Sequence, residues 1–109
     1  MIRVSGTTAT HGADPICTGD VRAQAVYVLD KILASIVALG GRREGVTRTR
    51  VYLTNVAEWE PVARAHGQMF GDVLPANTLL AVAALVGSYA VEMEAEAHVA
   101  DTDEPASRV

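Results

Sequence analysis

Residues 75–99, PANTLLAVAALVGSYAVEMEAEAHV, decide how the rest of the chain reads. Two apolar runs flank the turn dipeptide Gly87-Ser88, so the simplest reading is a β-hairpin. The first arm, residues 77–85, is apolar almost throughout, the pattern of a strand covered on both faces. The second arm alternates. Tyr89, Val91, Met93, Ala95, Ala97 and Val99 fall on one face, and Glu92, Glu94, Glu96 and His98 on the other. A two-residue turn predicts that Ala83 lies opposite Glu92. A glutamate on a strand face beside a small apolar neighbour belongs either to a solvated face or to the wall of a site that needs a carboxylate.

The elements before this stretch read outward from it. Residues 2–10 are rich in β-branched side chains and predict a strand. The loop His11-Gly-Ala-Asp-Pro15 follows, with a short strand expected at Ile16-Cys17. Asp20 is a good N-cap for a helix over residues 21–39, where Val21, Ala25, Val28, Leu29, Ile32, Ile36 and Leu39 recur at helical spacing. Its polar residues Arg22, Gln24, Asp30, Lys31 and Ser35 are expected toward solvent or a neighbour, and Gly40-Gly41 stops it. Residues 46–53 predict a strand. Asn55 opens a turn, and a second helix spans residues 58–70 with Trp59, Val62, Ala63, His66, Met69 and Phe70 on one side. Pro61 is tolerated in its first turn. The order β(β)αβαββ predicts an α+β layer of two helices on one sheet face. The strands at 46–53 and 77–85 carry apolar residues on both faces, so the face left open calls for a partner, which points to a homo-oligomer.

Length and charge narrow the function classes. At 109 residues the chain is one domain, expected over residues 1–100, with an acidic, disordered tail at 101–109. No apolar run approaches the roughly 20 residues that span a bilayer, so no membrane partner is expected. The N-terminus shows no signal-peptide pattern and Cys17 is the sole cysteine, which together suggest the cytoplasm. A formal charge of −4 argues against nucleic acid. The cluster Arg42, Arg43, Arg48 and Arg50 is the only candidate basic patch, and no aromatics interleave it. His11, His66 and His98 lack metal-ligand spacing, so neither a metal nor another cofactor is expected. His66 reads as a satisfied helix residue against the sheet. Cys17 is reactive only in an electropositive setting that the sequence does not show.

PANTLLAVAAL followed by VEMEAEAHV resembles what reads as the C-terminal hairpin of the RidA/YjgF family of imine and enamine deaminases. The likeness extends over RTRVYLTNVAEWEPVARAHGQMFGD and back to SGTTAT, covering roughly residues 2–99. It implies a chorismate-mutase-like fold and a homotrimer with small-molecule clefts between subunits. It assigns catalysis to Glu92, matching the glutamate that activates the attacking water. It assigns substrate binding to Ser5, Gly6, Asn77 and Leu79. Two departures stand out. Asn77 occupies the place of an arginine that clamps a substrate carboxylate through a charged, two-pronged contact. The upstream tyrosine of the family has no counterpart in this sequence.

Losing a charged hydrogen bond in a cleft costs roughly 1.5–3 kcal/mol, about one to two decades in affinity. The α-imino acids the family usually hydrolyses are therefore expected to bind poorly. The expected function is a RidA-like enzyme acting on an imine, enamine or related carbonyl compound as hydrolase, tautomerase or cyclase. The alternative is a ligand-binding or regulatory trimer without catalysis. An endoribonuclease role, attached to some members, fits the acidic balance least.

Overall fold

In the computed structural model, which describes residues 1–99, strand β1 (Ile2–Thr7) is followed by the two-residue strands β2 (Thr10–His11) and β3 (Asp14–Pro15). Helix α1 (Val21–Ala38), β4 (Val46–Leu53), α2 (Trp59–Phe70), β5 (Ala76–Ala81) and β6 (Val91–Ala97) complete the order. The expected tail at 101–109 lies outside the described residues. The first strand stops at Thr7 because the chain then turns into the β2–β3 ribbon around Gly12, whose φ of 63° suits glycine. The short strand expected at Ile16-Cys17 forms instead at Asp14–Pro15.

The main sheet runs β1-β6-β4-β5. β6 pairs antiparallel with both β1 and β4, and β5 pairs parallel with β4. The expected β5–β6 hairpin is therefore absent, and β4 lies between its two arms. The reason is the crossover: β4, α2 and β5 form a βαβ unit, which delivers β5 parallel to β4 on its free edge. Val82 still donates to Leu53 O at 2.8 Å, after which residues 83–89 leave the sheet. Gly87, at φ 94°, turns that excursion rather than a two-residue hairpin. Tyr52, not Ala83, stands opposite Glu92.

Both helices cover one sheet face, as their stripes require. Asp20 Oδ1 accepts from Ala23 N at 3.0 Å to cap α1, and Gly40 follows its end at φ 90°. Asn55 Oδ1 accepts from Ala57 N at 3.1 Å and opens the short 3-10 turn that leads into α2. Leu29, Ile32 and Ile36 of α1 and Val62 and Phe70 of α2 meet Val51, Leu53, Val91 and Met93 of the sheet in one core. β6 buries Val91, Met93, Ala95 and Ala97 and leaves its glutamates half-buried on the other face, as its alternation predicts. Trp59 is half exposed, so it sits at the helix edge rather than in the core.

One expectation about burial fails, and a second resolves to its neighbour alternative. β5 is an edge strand with most of its residues exposed, so its apolar run is not covered on both faces within one chain. Gln24 is buried rather than solvated: its Oε1 accepts from Ala90 N at 2.9 Å and its Nε2 donates to Ile16 O at 3.2 Å. Its amide thus ties the loop before α1 to the residue that enters β6. Gln24→Ala orphans both backbone groups and is expected to cost about 2–4 kcal/mol in urea denaturation. Gln68→Ala, on the exposed side of α2, should stay within about 0.5 kcal/mol of wild type. Equal losses would remove Gln24 from the structural role described.

Candidate functional site

The sheet face away from the helices carries Arg48, Arg50 and Tyr52 of β4 beside Glu96, Glu94 and Glu92 of β6. Tyr52 donates its hydroxyl to Glu94. That bond, with burial secondary, pushes the phenol's pKa up, so Tyr52 stays protonated at neutral pH. Arg3 of β1 approaches Glu96 at 3.5 Å.

A bulge shapes the site. Val4 faces Ala95 and Thr7 faces Met93, so Ser5 and Gly6 together oppose the single residue Glu94. Thr7 Oγ1 donates back to Ser5 O at 2.9 Å across this kink. The kink brings the Gly6 backbone onto the end of Glu92: a Cβ built at Gly6 would collide with Glu92 Oε2. The absence of a side chain at Gly6, not its φ, is what lets the Glu92 carboxylate rest there. Gly6, Glu92, Glu94, Tyr52, Val82, Ala84 and Leu85 line a shallow cleft of about 270 Å³. It brings two carboxylates, a phenol and a backbone edge against apolar walls. Of the residues expected in the site, Glu92 and Gly6 are therefore in contact, and Ser5 is exposed beside them.

Asn77 and Leu79 lie elsewhere in the same chain. In the β4–β5 register, Asn77 pairs with Thr49 and Leu79 with Val51, both of which face the helices. Thr49 Oγ1 donates to Asn77 Oδ1 at 2.9 Å and stands 2.8 Å from His66 Nε2 on α2. Leu79 packs against the core. Within one copy, Asn77 and Glu92 point from opposite sheet faces, and a ligand touching both would have to bridge two copies. His66 is satisfied at the sheet as expected, and burial pushes its pKa down, which keeps the imidazole neutral at pH 7.

The arginines do not form one patch. Arg43 leaves the group to clamp the end of α2, donating to Met69 O at 2.8 Å and to Asp72 Oδ1 and Oδ2 at 2.7 and 3.0 Å. That contact holds the Asp72 carboxyl below the usual carboxylate range. Among the described residues no cluster of His, Cys, Asp and Glu could hold a metal ion, and no helix is long and apolar enough to cross a membrane. Tyr52 and Thr49 escaped the sequence reading. Their alternation along β4 was visible, but which strand each would face was not.

A sequence profile of the family described as endoribonuclease L-PSP matches residues 1–99. The chain belongs to this family. Its members include the YjgF/RidA proteins, and the α+β architecture described above is theirs. The uncharacterized protein SCO2049 of Streptomyces coelicolor is 35% identical over 96 residues, covering 87% of this chain and 72% of its own. The RutC family protein PYRAB12510 of Pyrococcus abyssi is 28% identical, and its match spans 76% of this chain but only 65% of the relative. The crystal structure of Rv2704 from Mycobacterium tuberculosis, a YjgF/YER057c/UK114 family member, superposes with a TM-score of 0.79 at 33% identity. That match covers 89% of this chain and 77% of Rv2704.

Because only the flexible end of Glu92 meets the space beside Gly6, Gly6→Ala should leave stability within about 1 kcal/mol of wild type while displacing the carboxylate. The Glu92 side-chain carboxyl carbon should shift in the NMR spectrum of Gly6→Ala and stay put in Gly67→Ala, where an added Cβ meets nothing within 4 Å. An unmoved Glu92 signal in Gly6→Ala would contradict the contact.

Proposed function

We propose that this YjgF/RidA-family protein is a small-molecule enzyme acting on an imine, enamine or related carbonyl compound, with Glu92 as its acid and base. The observation that carries this reading is the Gly6–Glu92 contact in the open-face cleft, where a carboxylate stands beside a backbone edge and apolar walls. In hydrolysis, Glu92 takes a proton from water as the oxygen attacks the imine carbon. With the imine protonated, its π electrons move to nitrogen and the neutral carbinolamine forms. Glu92 then gives its proton to nitrogen, and as the carbon–nitrogen bond breaks the hydroxyl proton passes to the freed carboxylate, releasing ammonia and a carbonyl product. A tautomerisation needs the same placed donor and acceptor.

The opposed faces of Asn77 and Glu92 support a site shared between copies, consistent with a homotrimer whose sheets meet through the open face. The exposed edge strand β5 adds apolar surface for such a contact. Asn77 offers a neutral contact where the resemblance places an arginine, so the favoured substrate lacks a carboxylate at that point.

Two enamines made in situ separate the possibilities: 2-aminoacrylate and its neutral amide, 2-aminoacrylamide. Ammonia release should be accelerated more for the amide. Glu92→Gln should lower that rate by about 10²–10⁴-fold with the fold intact. Asn77→Arg should shift preference toward the acid. If the protein accelerates neither, catalysis is lost and a ligand-binding role replaces this reading.

A further inference from the structure

Thr49 has one hydroxyl proton, and the relay it sits in uses that proton. Thr49 is 2% exposed, with its hydroxyl between α2 and β5. It donates to Asn77 Oδ1 at 2.9 Å, so its oxygen can only accept from His66 Nε2, 2.8 Å away. His66 must then carry its proton on Nε2. The ring is held in place by Phe70, at 5.4 Å between centroids and a 58° tilt. With its carbonyl turned inward, Asn77 points its amide nitrogen outward from an exposed position on the β5 edge. Among the described residues that nitrogen has no hydrogen-bond partner.

We propose that His66 is a positioning residue that, through Thr49, locks the Asn77 amide so that residue 77 offers ligand two N–H donors and no acceptor. The site then selects a hydrogen-bond acceptor at this point, in the neutral class of amide, lactam, ester or ketone oxygens. It rejects groups that can only donate, such as an ammonium. The ligand part rests on the reading that residue 77 contacts substrate, whereas the locked amide stands without it.

One competing arrangement exists. Reversing the relay makes Asn77 donate to Thr49 and Thr49 donate to His66 Nε2. That turns the Asn77 carbonyl outward and moves the histidine proton to Nδ1. The histidine tautomer therefore reports the orientation of the asparagine.

The test uses the full chain with ¹⁵N-labelled histidine, near about pH 8 so that the imidazoles are neutral. Nitrogen shifts should show His66 protonated at Nε2, and protonation at Nδ1 would overturn the proposal. The second arm titrates two probes while following the Asn77 side-chain amide: N-methylpyrrolidinone, which only accepts, and piperidinium, which only donates. N-methylpyrrolidinone should shift that amide and piperidinium should not. Its affinity should fall about two- to tenfold in Thr49→Val, the worth of one neutral hydrogen bond, and return in Thr49→Ser. Asn77→Asp keeps the inward acceptor and makes the outward atom an acceptor, so the preference should invert. The Nε2 tautomer with no response to either probe would refute ligand contact at residue 77, and the selectivity with it. Equal response to both probes would refute the selectivity alone.

Discussion

Strand β4 is paired on both edges, parallel to β5 and antiparallel to β6, and that double pairing sets which face Asn77 and Glu92 each take. Side chains alternate along a strand, so register and face are one decision. With Thr49 beside Asn77 and Tyr52 beside Glu92, the asparagine joins the helix layer and the glutamate the open face. A slip of one residue on either edge would put both on the same face. Burial holds the register: Thr49, Val51 and Leu53 are buried under the helices, and their partners Val91, Met93 and Ala95 are buried with them.

Glycines and bulges then refine what register alone leaves coarse. The extra residue Thr47 between Val46 and Arg48 resets the alternation of β4, so that Val46 and Thr49 both face inward. The Ser5–Gly6 bulge in β1 does the same on the far edge of β6 and brings backbone against the Glu92 carboxylate. An ordinary side chain at position 6 would occupy the place where that carboxylate rests. Two local irregularities therefore separate a plain four-stranded sheet from one with a built cleft.

Much of this was legible in the sequence. The helical stripes, the Asp20 cap, the alternation of β6 and the family likeness are local or compositional signals, and each appears in the fold. What the sequence hid depends on distant chain. Gly87-Ser88 looks like a hairpin turn because turn chemistry is local, whereas the crossover through α2 that separates β5 from β6 is not. Gln24 carries a polar side chain at a helical position that looks solvated, and only the approach of Ala90 and Ile16 makes it a buried connector. Glu92 and Gly6 were singled out by their family positions, and their contact arises from a bulge that no residue pattern announces. The placement of Asn77 on the face opposite Glu92 was hidden for the same reason as the hairpin: it follows from which strand β5 joins.

The sorting of these two residues to opposite faces can be measured directly. Isotope-filtered NOE spectroscopy on a mixture of labelled and unlabelled full-length chains separates contacts within a copy from contacts between copies. The Asn77 side-chain amide should show NOEs to Thr49 and His66 of its own chain, and any NOE to Glu92 should appear only between labelled and unlabelled chains. An Asn77–Glu92 NOE within one chain would contradict the pairing of β5 with β4 and the division of the site that depends on it.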